Sequence, residues 1–262
     1  MPSERYEGVC SEARSYMNCA SSGYDPKKAA EILEGLSSKG IGEAQYLYSL
    51  FLFTGTSVIK DRAAAMELLS LSAGEGYEKA ALLKREIDVN GGADKTEHLI
   101  SLKLRGEERN TDACKELFEI YSEGGAPVKK DHRTAAEWYT VCAEEDDVHA
   151  QNTVGFMYLM GKGVGKDKDK ALFWLKKAAD NGSADAMYHI GEMYEAGLCY
   201  TKADMKQALN WYQLAADAGS ADAQYCLAAL HSIPKTRSYD PMKTAAYLEK
   251  AAALGHGEAQ YQ

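Results

Sequence analysis

An alanine recurs at positions 44, 80, 113, 150, 186, 223 and 259, at spacings of 33 to 37 residues. A second phrase keeps the same register: KKAAEIL from Lys27, KALFWLKKAA from Lys170, QALNWYQLAA from Gln207 and KTAAYLEKAA from Lys243. A period in the mid-thirties built of two helical phrases is the mark of stacked helix pairs, each burying its apolar face against the next. The expected fold is therefore all-α: an α/α superhelical solenoid of about seven antiparallel helix hairpins. The units are placed at about 5–40, 43–76, 79–106, 112–146, 149–182, 185–219 and 222–255, with 258–262 opening a further repeat, all in one solenoid over 1–262.

The unit from His149 to Gly182 shows why these phrases are helices. Ala150, Val154, Gly155 and Tyr158 share one face of a 3.6-residue period. Gly161 and the glycines after it end the first helix, Val164 plugs the hairpin end, and Asp167 or Asp169 caps the second helix. Ala171, Trp174, Leu175, Ala178 and Ala179 then point inward. The next units repeat this with Ala186, Ile190, Gly191 and Tyr194, then Ala208, Trp211, Tyr212, Ala215 and Ala216, and again with Ala245, Leu248, Ala251 and Ala252 in the last second helix. The third unit departs most: Lys84 and Arg85 stand where Leu and Gly belong, so a joint in the solenoid is expected near Val89 to Thr96.

Composition narrows the partners. The net charge is −9 and no basic stripe is visible, which disfavours nucleic acid and an anionic membrane surface. The most apolar stretch, Tyr46 to Phe53, is too short to span a bilayer, and MPSERYEGVC has no signal-type apolar run, so a cytoplasmic setting is expected. Six cysteines (Cys10, Cys19, Cys114, Cys142, Cys199 and Cys226) form no C-x-x-C pair, and no histidine stands at zinc spacing, so no metal site is expected. Cys114 and Cys142 fall on antiparallel helices where the two could meet.

No chemical motif survives its plainer explanation. Gly161 to Lys166 has the glycines of a phosphate loop but neither the spacing nor a Ser or Thr for magnesium. Glu192 and Glu195 lie on one exposed helix face and lack the contrasting environments that acid–base pairs need. Asn181-Gly182-Ser183 fits a glycosylation sequon but is explained as the repeat turn. His231 replaces a repeat tyrosine near a helix end, in a packed or dipole-facing role. No cofactor and no catalytic residue is expected; the chain is not read as an enzyme.

The phrase HAQNTVGFMYLMGKGVGKDKDKALFWLKKAADNG resembles the Sel-one-like repeat family, whose pattern is A-x-x-x-L-G-x-x-Y, then G-x-G-V-x-x-D, then K-A-x-x-W-Y-x-K-A-A. The resemblance is close from Ala113 onward, partial from Asp25 to Gly76, and weak before Tyr24 and in the third unit. It implies an adaptor or scaffold in protein complexes. By analogy with the related tetratricopeptide repeats, first helices line a concave groove. That places His149, Asn152 and Phe156, then Asp185, Tyr188, Glu192 and Glu195, then Asp222, Tyr225 and Ala229 in the groove. This aromatic and acidic surface would suit a protein or peptide with basic and apolar segments. Two other classes stay open: a regulatory repeat module of a larger enzyme or signalling protein, and a cryptic hydrolase. Self-association through the incomplete C-terminal end is a further expectation.

Overall fold

The computed structural model describes residues 10–125, 128–198, 203–233 and 239–261. These residues form α1 (Ser11–Met17) paired with α2 (Pro26–Ser37) and α3 (Gly42–Thr54) with α4 (Arg62–Gly74), then α5 (Glu78–Val89), which packs on α4, α6 (Glu97–Glu107), which packs on α3 and α7 rather than on α5, and α7 (Thr111–Glu123) paired with α8 (His132–Glu144). Then follow α9 (Val148–Met160) with α10 (Lys168–Asp180), α11 (Ala184–Glu195) with α12 (Met205–Asp217), and α13 (Ala221–Ser232) with α14 (Pro241–Ala253). Among the described residues there is no β-strand, so the all-α hairpin fold is as the period requires. Residues 5–9 of the first unit and Cys199 lie outside the described residues.

The helices divide into two compact units, Met1–Glu145 and Asp146–Gln262. The boundary between the units falls after Glu145 and not near Val89 to Thr96; that stretch lies inside the first unit, where a 3₁₀ turn (Ala93–Thr96) connects α5 to α6 and the regular hairpin packing lapses, α6 packing on α3 and α7 instead of α5. The register of α5 is corrected too. Leu83 and Ile87 are buried, Arg85 is exposed and Lys84 is half-buried, so the helix has rotated its aliphatic residues inward and Arg85 outward.

Capping explains where the helices start. Asp25, Asp61, Asp131, Asp167, Asp204 and Asp240 each cap a second helix, the side chain accepting from a backbone N–H two or three residues on. Asn110, Asp147, Ser183 and Ser220 do the same for first helices. Both helices of the third unit, α5 and α6, begin without a side-chain cap. Each turn from a second helix to the next first helix passes through a left-handed residue four before the anchor alanine. Five of these are glycines (Gly40, Gly76, Gly182, Gly219 and Gly255), and two are Arg109 and Asp146, at φ of 62° and 63°. A side chain in that region costs about 1–2 kcal/mol. Arg109 is held by ion pairs to Glu144, at 2.8 Å, and to Glu145; Asp146 accepts from Lys177 Nζ at 2.8 Å.

The core is built on close approach. A Cβ at Gly191 would lie 2.5 Å from the Tyr212 ring, one at Gly155 2.7 Å from Leu175, and one at Gly106 2.7 Å from Trp138. Ala150, Ala171, Ala178, Ala186, Ala208, Ala215 and Ala223 are all fully buried, so large side chains from one helix fill the space that small ones on its partner leave. Ala245, expected to point inward, is exposed, because in this last pair only Ala251 of α14 is buried. A buried glutamine follows several anchor alanines. Gln224 Nε2 donates to the Ala216 carbonyl at 3.2 Å, tying α13 to the end of α12; the exposed Gln260, on a 3₁₀ turn, makes the same bond to Ala252 at 3.4 Å.

The first unit also holds an ionic cluster in its interior. Glu107 accepts from Arg14 and from Lys79, both at 2.8 Å, and Arg14 also reaches Glu43 at 2.7 Å. Lys103, only 2% exposed, lies 3.4 Å from Glu86 and over the Tyr121 ring, while the Tyr121 hydroxyl donates to Glu86 at 2.6 Å. Burial pushes the Glu107 carboxyl up, but Lys79 and Arg14 outweigh it and hold it at about 2. Burial draws Lys103 below the usual lysine range against the pull of Glu86. Cys114 and Cys142 do meet, as buried free thiols, and Cys142 together with burial pushes the Cys114 thiol up, out of reach of easy ionisation.

Two outcomes follow. Gly191→Ala should cost about 1–3 kcal/mol in chemical denaturation through overpacking on Tyr212. Gly165→Ala, where the added Cβ meets nothing within 4 Å, should stay within about 0.5 kcal/mol of wild type. Glu107 binds its proton at about 2 in the folded chain, below the ordinary 4.5. Its contribution is thus complete above pH 4.5 and lost as the pH falls from 4.5 toward 2. Glu107→Gln should cost about 2–4 kcal/mol at neutral pH, the range allowing for the partly exposed Arg14 and Lys79, and should flatten the stability profile in that acid window. Urea unfolding at stepped pH measures both.

Candidate functional site

The residues expected to line a groove sit on α9, α11 and α13, all in the second unit. Each stands one before, two after or six after its anchor alanine, except Glu195, which lies one turn beyond Glu192. Because the alanines face the core, these offsets leave the side chains at or near the surface. His149 and Phe156 are exposed and Asn152 is half-buried, about one helical turn apart along α9. Asp185, Glu195, Asp222 and Ala229 are exposed; Tyr188, Glu192 and Tyr225 are half-buried.

Most of these residues are brought together, but the carboxylates are not idle. The Tyr188 hydroxyl donates to Glu192 Oε1 at 2.9 Å, and His189 Nδ1 lies 2.9 Å from Glu192 Oε2. Burial pushes the Glu192 carboxyl up, yet the bonds from His189 and Tyr188 prevail and leave it below the usual carboxylate range. The Tyr212 hydroxyl donates to Glu195 Oε2 at 2.6 Å. Burial and these carboxylates push both tyrosine hydroxyls well above the usual range, so they stay protonated donors. Around them the Phe156 ring lies 5.0 Å from His189, and Tyr188 lies 5.5 Å from His189 and 5.7 Å from Tyr212. Cys226 Sγ approaches the Tyr188 hydroxyl at 3.8 Å.

A second cluster forms around α13. Tyr225 stacks on His256 with centroids 4.3 Å apart and planes at 17°, and His256 Nε2 lies 3.4 Å from Asp222. His256 Nδ1 accepts the Ala259 N–H at 3.2 Å, so the neutral ring carries its proton on Nε2, facing Asp222. Sequence reasoning missed His189, Tyr212, Cys226 and His256. His256 was findable: it stands three before Ala259, the capping position that Ser183 and Ser220 hold in the units before it. His189 carries no such positional signal. His231, expected in a packed or dipole-facing role, stacks parallel to Tyr247.

The arrangement suits recognition better than chemistry. Burial, together with Glu195, Glu192 and Asp222, raises Cys226 above the ordinary thiol range against the Tyr188 hydrogen bond, which suppresses the thiolate a nucleophile requires. Among the described residues no group of His, Cys, Asp and Glu is placed to hold a metal ion. None of the described helices is long and apolar enough to cross a membrane. What the face offers is aromatic edges beside carboxylates held in fixed positions.

Tyr212→Phe is expected to lower stability by about 1–3 kcal/mol, since it removes a bond to a charged acceptor. Loss of that hydroxyl should also leave Glu195 free to move, visible as broadened NMR side-chain resonances of α11.

Comparison with known proteins agrees with the helix pairs. A model of the Sel1 repeat matches residues 42–77, 111–147, 148–183, 184–220 and 221–256. The unmatched interval between the first two contains the uncapped helices α5 and α6. Chitin synthase regulatory factor 3 of Schizosaccharomyces pombe is 38% identical over 87 residues, 32% of this chain and 9% of its own length. This chain thus spans about a tenth of that relative. A Sel1 repeat protein from Oxalobacter formigenes superposes with a TM-score of 0.55 at 24% identity, over 98% of this chain and 76% of its own. A protective antigen present in uropathogenic Escherichia coli strains, which displays an SLR fold, gives 0.54 at 22% identity, over 97% of this chain and 56% of its own. At these identities the two structures speak for the fold alone.

Proposed function

The chain belongs to the Sel1 repeat family, whose members generally mediate protein–protein interactions, and from that premise we propose a scaffold or adaptor that binds a polypeptide on the face of α9, α11 and α13. This is the concave face by analogy with tetratricopeptide repeats. The observation that supports it is the ladder of Phe156, His189 and Tyr188 around Glu192, continued by Tyr225, His256 and Asp222. Rings with few rotatable bonds lose little freedom on binding, and anchored carboxylates are already oriented. The matching partner carries basic side chains next to apolar ones.

A second reading, a regulatory module acting within or beside a larger enzyme, draws on the match to a protein named as a regulatory factor. Both readings use the same face and differ in whether its ligand is on another chain.

The test follows from the geometry. Tyr188 and Glu192 are braced internally, so the cleaner substitutions are at exposed positions. Phe156→Ala, Asp185→Lys and Asp222→Lys combined should weaken a crosslinked protein partner at least tenfold, about 1.4 kcal/mol. Lys176→Glu with Asp180→Lys, exposed on α10, should leave it unchanged. Equal capture by both variants would reject this face.

A further inference from the structure

Residues 40–76 of the first unit and 146–182 of the second align without a gap, Ala44 on Ala150, Asp61 on Asp167 and Gly76 on Gly182. One place in this shared register differs sharply. In the later copy it is bridged: Asp146 accepts from Lys177 at 2.8 Å, and Asn181 Nδ2 donates to Gln151 Oε1 at 3.2 Å. In the earlier copy the corresponding residues are Gly40, Leu71, Glu75 and Gln45. Gly40 and Leu71 form no ion pair. Glu75, as a carboxylate, accepts and does not donate.

The result is an open groove of about 560 Å³ between α2, α3 and α4. Leu52, Leu68 and Leu71 line it, with Leu71 half exposed. Glu34 and Glu67, both exposed, stand on its rim, and none of the residues lining it is a lysine or arginine. Gln45 lines it as well; this side chain is 4% exposed, and its Oε1 is buried with no donor. A buried carbonyl without a donor costs about 1–3 kcal/mol, and the equivalent Gln151 shows what satisfies it: an N–H from the side where α10 ends.

We infer that this groove is a docking site for a peptide segment presenting a lysine or arginine beside a large apolar side chain. The cation pairs with Glu34 and Glu67, one of its N–H groups supplies the donor that Gln45 lacks, and the apolar neighbour packs on Leu52 and Leu71. The charge on the rim selects the partner, and the aliphatic wall provides the area. This site lies wholly in the first unit and is separate from the face of α9, α11 and α13.

The experiment is fluorescence anisotropy on the full chain with three pools of labelled dodecapeptides: Lys or Arg next to Leu or Phe, the same pool with Glu for the cation, and the same pool with Ser for the apolar residue. The first pool should bind, with the other two at least tenfold weaker. Closing the groove with Gly40→Asp, Leu71→Lys and Glu75→Asn transplants the bridge of the later copy, where Asp146 already tolerates the same left-handed backbone. That variant should lose binding, as should the surface variant Glu34→Lys, Glu67→Lys. Phe156→Ala with Asp222→Lys should bind the first pool as wild type does. No binding by any pool, equal binding by the closed variant, or loss on Phe156→Ala with Asp222→Lys overturns the assignment.

Discussion

Everything in this chain depends on helices meeting at positions where one of them has almost no side chain. Gly191 lies against the Tyr212 ring and Gly155 against Leu175, at distances no Cβ could occupy. Such contacts fix the rotation of α9 and α11 about their axes, because only the edge that carries Gly155 or Gly191 can come this close. Once the anchor-alanine edge is buried in α9, α11 and α13, the residues one before, two after and six after the anchor alanine are left exposed or half-buried, whereas Tyr46 and Leu50 at the same offsets of α3 are covered. The aromatic and acidic character of α9, α11 and α13 is therefore a by-product of core packing that the sequence is free to vary.

The two units use polar groups in opposite ways. In the first, Glu107, Lys103 and Glu86 are buried, with the partly exposed Arg14 and Lys79 reaching in to Glu107, in a region where α5 and α6 lack caps and no repeat match is found. Where the small-residue packing pattern lapses, paired charges fill the space instead. Such pairs add little net stability compared with apolar packing, but each is costly to break singly. In the second unit the carboxylates lie nearer the surface, where tyrosine hydroxyls hold Glu192 and Glu195 and Lys177 holds Asp146.

The fold was largely legible because alanine spacing, the Asp caps and the glycine turns all carry one period. Ala171, Leu175, Ala178, Ala208, Tyr212 and Ala215 were placed in the core from that period and are buried. Legibility failed where no period guides it. The rotation of α5, which turns Arg85 out and Glu86 in, depends on Lys103 and Tyr121, partners distant in sequence. Ala245 was misplaced because a residue at an inward register is buried only if something covers it. At the candidate surface the offsets named the residues that reach solvent but not what braces them: that Glu192 bonds His189, or that Glu195 holds Tyr212, depends on rotamers and on a neighbouring helix. The left-handed backbone at Arg109 and Asp146 was likewise hidden, since only the neighbouring glycines advertise that conformation.

The glutamines that follow the anchor alanines have a consequence for how the chain comes apart. Gln224 and Gln260 each donate to the closing carbonyl of the helix before their own. Melting α12 thus strands the buried amide of Gln224 in the next hairpin as well as exposing apolar surface. Neighbouring hairpins are thereby coupled, so opening spreads along the stack in blocks rather than peeling off one repeat at a time. Amide hydrogens of α12 and α13 would then exchange with a shared free energy.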